Sequence, residues 1–241
     1  MKLSIIIPAY NEERSIKRII QNTHKILLDF FDKPEEFEIV VMNDGSKDNT
    51  LTYCEESQKE IKNLSIFSNP INFGKTLNLI RGFDIAKGDY VGFIDADYQY
   101  DPIDIPKLFE KTKEGYDIVC GNRSLRKDSI YRKFLSFGFN SFNRYFFGIK
   151  VHDVNCGLKI IKKTSLPKIQ IKYLRAKWFI DTEFLVRAYE KKLKITELPI
   201  NHYDRLEGVS KVSGVKLALE TVFYGVMLKT ELLIQRIKNI F

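Results

Sequence analysis

Apolar positions along the chain alternate between short unbroken runs and longer stretches with helical spacing. Leu3-Ser4-Ile5-Ile6-Ile7 is the first run; it is too short for a signal-peptide core and ends in Asn11-Glu12-Glu13, so it reads as a buried strand. Ile16, Ile19, Ile20, Thr23, Ile26, Leu27 and Phe30 then recur with the period of a helix, with Asn11 available to cap its start. Glu38 to Met42 predicts a second strand, stopped by Asn43-Asp44-Gly45-Ser46, and Asp48 can open a helix through about Ile61. Leu64 to Phe67, the turn Asn69-Pro70, a helix from about Lys75 to Ala86 and a strand from Tyr90 to Ile94 repeat the unit. Alternating β and α segments of this length imply a mostly parallel, doubly wound α/β sheet flanked by helices, with a ligand crevice at the carboxyl ends of its strands.

Past Pro102 the pattern loosens. A helix near Ile105 to Lys113 precedes a strand over Tyr116 to Cys120, and Asp128 to Lys150 then carries eight aromatics in 23 residues. A strand (Leu158 to Ile161), a helix (Asp181 to Glu190), an edge strand (Ile195 to Leu198) and a long C-terminal helix complete the reading. Without an internal repeat or a low-complexity linker, residues 1–212 are expected to form one integrated domain, followed by an amphipathic helical tail over 213–241.

Composition narrows the possibilities. A chain of 241 residues, 44% hydrophobic and 13% aromatic, can bury a real core, which excludes disorder as its main state. Lys plus Arg exceed Asp plus Glu by 39 to 31, so an anionic partner is expected: nucleic acid, a phosphorylated substrate or an anionic membrane surface. Cys54, Cys120 and Cys156 lie far apart and the three histidines form no HExxH, which leaves neither a disulfide framework nor a zinc site and points to a reducing, cytoplasmic setting. No stretch of 18 uncharged apolar residues exists, so the chain is not expected to span a membrane by itself.

The strongest chemical signal is Asp95-Ala96-Asp97, with Gln99 and Asp101-Pro102 behind it, at the end of a buried strand. Two carboxylates and an amide oxygen at a strand terminus form a hard-oxygen site for Mg2+ or Mn2+, completed by diphosphate oxygens and water. The plainer alternative is a solvated turn with Asp101 capping the next helix. Pro8-Ala9-Tyr10-Asn11-Glu12 follows the first strand where a dinucleotide enzyme would have GxGxxG, and no GxxxxGK[ST] occurs.

These residues match a family pattern. Ile7 to Glu13, Asn43 to Asp48, Asn72-Phe73-Gly74-Lys75 and Asp95 to Pro102 fall in the order and spacing of family 2 inverting glycosyltransferases of the GT-A fold. Gly121-Asn122-Arg123, Asp153 to Lys159 and Arg205 to Lys211 are similar to the dolichyl-phosphate mannose synthase and dolichyl-phosphate glucosyltransferase branch. The resemblance runs from about residue 3 to 212. It implies a nucleotide-sugar half (1–101) and an acceptor half (102–212), with Pro8, Tyr10, Glu12, the Met42 backbone, Asp44, Asn72, Lys75, Asp95, Ala96 and Asp97 around the donor. Metal ligation falls to Asp95, Asp97 and Gln99, and Asp97 and Arg205 are the implied catalytic residues. Arg123, Arg205 and Lys211 resemble the family's phosphate-handling cations, which offset the repulsion between donor diphosphate and acceptor phosphate. Thr76 stands where the family commonly has glycine.

The resemblance implies metal-dependent transfer of a hexose from a nucleotide sugar, of the GDP-mannose or UDP-glucose type, to a polyprenyl or dolichyl phosphate. An ionised phosphate acceptor needs no general base. An acceptor hydroxyl would need a carboxylate within about 3 Å, and Asp181 and Glu183 are the candidates, the alternative being an N-cap with a solvated first-turn acid. Tyr131, Phe134, Gly138, Phe142, Tyr145 and Ile149 form a rough stripe, widened by Phe137, Phe139, Phe146 and Phe147, that suits a headgroup boundary where the lipid phosphate meets Arg123, Arg126 or Arg132. A helix pair packed on the sheet is the competing reading. Peripheral attachment to the cytosolic membrane face, or a membrane subunit or second copy bound through the C-terminal helix, follows as an expectation. A transferase acting on a glycan hydroxyl and a non-catalytic nucleotide-sugar binding protein remain as alternatives; nucleic-acid binding lacks any recognisable signature.

Overall fold

In the computed structural model, residues 1–123, 130–174, 176, 179–203 and 214–238 are described, leaving aside the side chains of 130–135 and 214–218. The first run becomes β1 (Leu3–Ala9), whose Ile5 and Ile7 enter one core while Ile6 enters another on the opposite face. That two-sided burial is why the run is continuously apolar. Next come α1 (Ile16–Phe30), β2 (Phe37–Asn43), α2 (Thr50–Glu60), β3 (Leu64–Ser68), α3 (Lys75–Ile85) and β4 (Tyr90–Ile94). The second half adds α4 (Ile105–Thr112), β5 (Ile118–Asn122), α5 (Ile130–Phe147), β6 (Leu158–Lys162), α6 (Ile180–Glu190), β7 (Ile195–Pro199) and α7 (Gly214–Lys238).

The seven strands form one sheet in the order β3-β2-β1-β4-β6-β5-β7. Every pairing is parallel except those of β6, which runs antiparallel to β4 and β5. The reversal brings the start of β6 beside the end of β4, with Leu158 opposite Ile94 and Lys159 opposite Phe93. Residues that enter β6 therefore sit at the crevice.

Two local readings need correction. Asn11 does not cap α1; Ser15 holds the N-cap position. Asn11 instead adopts φ 54°, a left-handed conformation that asparagine tolerates, and its Oδ1 accepts from the Lys47 N–H at 2.8 Å, joining the loops after β1 and β2. Of the aromatic stripe of α5, the side chains of Tyr131 and Phe134 lie outside the described residues, and the described members do not share one environment. Phe137 and Tyr145 are exposed, whereas Phe142, Phe146 and Phe147 cluster together, with Phe142 and Phe147 against Gly225 of α7. Helical α7 in turn buries Leu228 and Leu232 in the second core.

Candidate active site

The loops at the carboxyl ends of β1 and β2 are built around Asp44. Its carboxylate, only 3% exposed, accepts from the Phe73 N–H (2.9 Å), the Gly74 N–H (2.8 Å) and the Asn69 amide (2.9 Å). Asp44 thus shapes the 69–74 loop, and its oxygens are committed to that loop before any nucleobase arrives. The Met42 carbonyl is likewise taken, by the buried Asn78 amide at 2.6 Å. Asn72 donates to the Asp44 carbonyl at 3.3 Å. Gly45 permits the close packing: it has φ 67°, and a Cβ there would lie 2.5 Å from the Ile71 carbonyl carbon. Pro8, Tyr10 and Glu12 line the same end of β1, each partly exposed, with the Glu12 N–H donating to Thr50 Oγ1 at 2.8 Å.

At the end of β4, Asp95 and Asp97 are partly exposed while Ala96 is buried between them. Lys75, the first residue of α3, reaches Asp95 Oδ1 at 2.6 Å. Burial opposes the Lys75 charge, but Asp95, Asp181 and Asp97 more than compensate and raise its pKa above the ordinary lysine value. The other Asp95 oxygen faces Gly157, where a Cβ would stand 2.1 Å from it. Asp97 Oδ1 accepts from the Gln99 N–H at 3.1 Å, which fixes the turn, helped by Tyr98 at φ 60°. Gln99 directs its side-chain nitrogen toward the Tyr203 carbonyl, and the Tyr203 N–H returns to the Gln99 carbonyl at 2.9 Å.

Asp181 opens α6 and joins this cluster; Glu183 does not. Lys159 Nζ donates to Asp181 Oδ1 at 2.5 Å. Glu183 is 1% exposed and spent on the Lys172 and Tyr173 N–H groups and on Arg187 at 2.7 Å. Its assignment as a possible base is therefore corrected: the carboxylate is a structural acceptor inside the fold. Arg123 is also differently employed. Its guanidinium grips Asp153 through Nε (2.6 Å) and Nη2 (2.7 Å), largely buried, so it is a poor candidate for an acceptor phosphate unless that pair opens. Arg126, Arg205 and Lys211 lie outside the described residues, as does the side chain of Arg132.

The donor set suits a hard divalent cation. Asp97 and Asp95 would hold it, Asp95 by exchanging or sharing its contact with Lys75. Among the described residues no three His, Cys, Asp or Glu side chains gather to bind a metal on their own, so a cation held here would take further oxygen ligands from outside these side chains.

The site thus sets a carboxylate pair at a strand end against a lysine at a helix N-terminus. The glycosyl transferase family 2 model matches residues 4–170. The chain belongs to this family. Dolichyl-phosphate β-glucosyltransferase of Trichomonas vaginalis is 31% identical over 234 residues, spanning 91% of this chain and 72% of that protein. Undecaprenyl-phosphate 4-deoxy-4-formamido-L-arabinose transferase of Proteus mirabilis is 31% identical over 90% of this chain and 64% of its own length. Dodecaprenyl-phosphate galacturonate synthase of Rhizobium johnstonii is 29% identical, with 88% and 62% covered. The chain thus spans roughly two thirds of the length of these relatives. Among solved structures, glucosyl-3-phosphoglycerate synthase of Mycobacterium tuberculosis, with Mn2+, UDP and phosphoglyceric acid, aligns at a TM-score of 0.71 and 19% identity over 93% of this chain and 78% of that one. By family and fold, then, this is a glycosyltransferase with the GT-A architecture.

Several residues that shape this region in the structure carry no individual role in the sequence reading: Lys159, Asp153, Gly157, Asn69 and Asn78. A lysine inside the apolar run Leu158-Lys159-Ile160-Ile161 is the one visible signal, because a buried ammonium requires a partner. Thr76, the departure from the usual glycine, is buried and donates to the Ala176 carbonyl at 3.0 Å, tying α3 to the segment before α6.

Proposed function

We propose that this chain transfers a hexose, with inversion, from a nucleotide sugar of the GDP-mannose or UDP-glucose type to a polyprenyl phosphate of the dolichyl kind. The observation that carries the reading is the Asp95, Asp97, Lys75 and Asp181 cluster at the strand ends, in a chain whose relatives are transferases named for polyprenyl-phosphate products or acceptors. Asp95 and Asp97 would hold Mg2+ or Mn2+, which when bound offsets the charge of the departing nucleoside diphosphate. Lys75, placed by Gly74 at the head of α3, adds a fixed positive charge and the helix N-terminus to the same region. The acceptor phosphate, with a second pKa of about 6, is already an anionic nucleophile at neutral pH. It attacks from the face opposite the diphosphate, so configuration inverts in one step. Arg126, Arg132, Arg205 and Lys211 are the cations assigned to its phosphate. Transfer to a glycan hydroxyl is the second reading, and the crevice location of Asp181 favours that residue as the base it would require.

The outer face of α7 suits a bilayer. Leu219, Val222, Phe223, Val226, Met227, Leu233, Ile234 and Ile237 are each more than two fifths exposed and follow helical spacing, interrupted once at the exposed Thr230. Together with Arg236 and Lys238 on the same helix, and exposed Arg144, Tyr145 and Phe137 on α5, they complement an anionic membrane surface, cations toward the headgroups and apolar side chains toward the acyl boundary. Peripheral attachment through this face, at the cytosolic side of the membrane, is part of the same proposal.

The test is transfer of labelled sugar from a panel of GDP- and UDP-sugars to membranes containing polyprenyl phosphate, with Mg2+ or Mn2+. Asp97→Asn is expected to lower transfer by about 100-fold or more, the scale of a lost electrostatic contact in a transition state. Undiminished transfer in that variant, or after complete chelation, rejects the metal role; sugar found only on hydroxyls rejects the lipid-phosphate acceptor.

A further inference from the structure

Lys159 is the most unusual side chain in the core. It is fully buried on β6, on the face shared with Ile161, where strand alternation calls for an apolar residue. Its ammonium touches the Cys156 carbonyl at 2.5 Å and Asp181 Oδ1 at 2.5 Å, and lies 5.3 Å from the centre of the Phe93 ring. Apolar packing of the same volume is often at least as stabilising as a buried ion pair, so the fold alone gives no clear need for this pair.

Its location supplies one. Phe93, opposite Lys159 in the sheet, lies two residues before Asp95, and Gly157, two residues before Lys159, accepts from the Asp95 N–H at 3.2 Å. Charges therefore alternate from the crevice inward: Asp95, Lys75, Asp181, Lys159. Asp181 is the partly open member of the inner pair, its side chain 14% exposed, and among the described residues only Lys159 donates to it. A bare phosphate is disfavoured against the Asp181 carboxylate, whose open side suits a neutral hydrogen-bond donor. A nucleotide sugar whose diphosphate sits near Asp95, Asp97 and Lys75 carries neutral hydroxyl donors on its hexose at one end of the diphosphate and on its ribose at the other, and the free nucleoside diphosphate, which keeps only the ribose, separates the two.

Resting on the nucleotide-sugar reading above, we propose that Lys159 is a positioning residue that holds Asp181 as the hydrogen-bond acceptor for a hydroxyl of the transferred sugar. Asp181 then recognises the hexose, and its contribution falls on the sugar rather than on the nucleoside diphosphate.

Calorimetric binding to the full chain, without acceptor, separates these contributions. The probes are UDP-glucose and GDP-mannose, each paired with its free nucleoside diphosphate, all with Mn2+. Asp181→Asn and Lys159→Met are each expected to weaken binding of the preferred nucleotide sugar at least tenfold while leaving the free diphosphate within about twofold, because removal of a hydrogen bond to a charged acceptor acts only where the hydroxyl sits. The double variant is expected to be no weaker than the worse single one, and it keeps the protein folded by removing both buried charges together. Parallel loss of diphosphate affinity would mean a general collapse of the site and would overturn the proposal. Unchanged nucleotide-sugar affinity, with transfer alone reduced, would assign Asp181 to base chemistry and overturn it as well. A wild-type chain that binds neither nucleotide sugar overturns this proposal and the function it rests on together.

Discussion

At Gly157 the backbone runs so close to the Asp95 carboxylate that a single methyl group would sit 2.1 Å from Oδ2 and 2.8 Å from the Tyr100 ring. Neither neighbour can retreat easily: Asp95 is held by Lys75, and Tyr100 is 3% exposed beside Arg123. Gly157→Ala is therefore expected to cost about 1–3 kcal/mol through overpacking and, by turning Asp95, to lower sugar transfer about tenfold or more at a temperature where the variant is folded. Thermal unfolding and transfer assays on the same preparation check this; full activity would show that Asp95 does not need its present orientation. The glycine is visible in the sequence, but the oxygen it makes room for lies 62 positions away and across a strand pair. The same is true of Arg123 and Asp153: each reads as a free charge until the loop after α5 brings them within 2.7 Å of each other.

Among elements, α6 connects the site to α7. Asp181 stands at its start in the crevice, and within the next two turns Glu183 and then Arg187 lead into Glu231 of α7, which also accepts from Lys172 at 2.6 Å. Burial works against the Glu231 charge, but hydrogen bonds from Arg187 and Lys172 outweigh it and bring its pKa down to about 2. A carboxyl group more acidic in the fold than in the unfolded chain stabilises the fold at pH values above its ordinary 4.5, and that support disappears as pH falls toward 2. Glu231→Gln is expected to lower stability by about 2 kcal/mol at neutral pH, and urea denaturation should show the gap from wild type closing between pH 4.5 and 2. A constant gap over that range would remove Glu231 ionisation as its cause. Helical and strand periods foretold nearly all of these elements to within two residues, because each is amphipathic or wholly apolar over its own length. They could not foretell the antiparallel direction of β6, since a buried strand reads the same whichever way it runs.

For the molecule as a whole, the exposed face of α7 sets a test of membrane attachment. Phe223→Glu and Val226→Glu alter positions 61% and 51% exposed, so stability is expected to stay within about 0.5 kcal/mol. Their co-sedimentation with vesicles of anionic lipid is expected to fall several-fold and further with added salt. Equal binding by the variants would reject this face as the attachment surface, and a solution dimer that the variants dissociate would assign it to a second copy. Because α7 packs on α6 through Leu228, Leu232 and Glu231, a docked α7 would hold the strand-end crevice at a defined height above the lipid.

The sequence by itself determined the α/β class, the order of the elements, the family and the carboxylates at the end of β4. Those properties are written in local periodicity and in motifs of adjacent residues. Only the tertiary structure decided how the charged residues are spent. It paired Lys75 with Asp95 and Lys159 with Asp181, closed Arg123 onto Asp153, and withdrew Glu183 into the Arg187 network. The physical reason is that a charge acquires its role from the burial and the partners around it, and those partners come from strands and helices far apart in the chain.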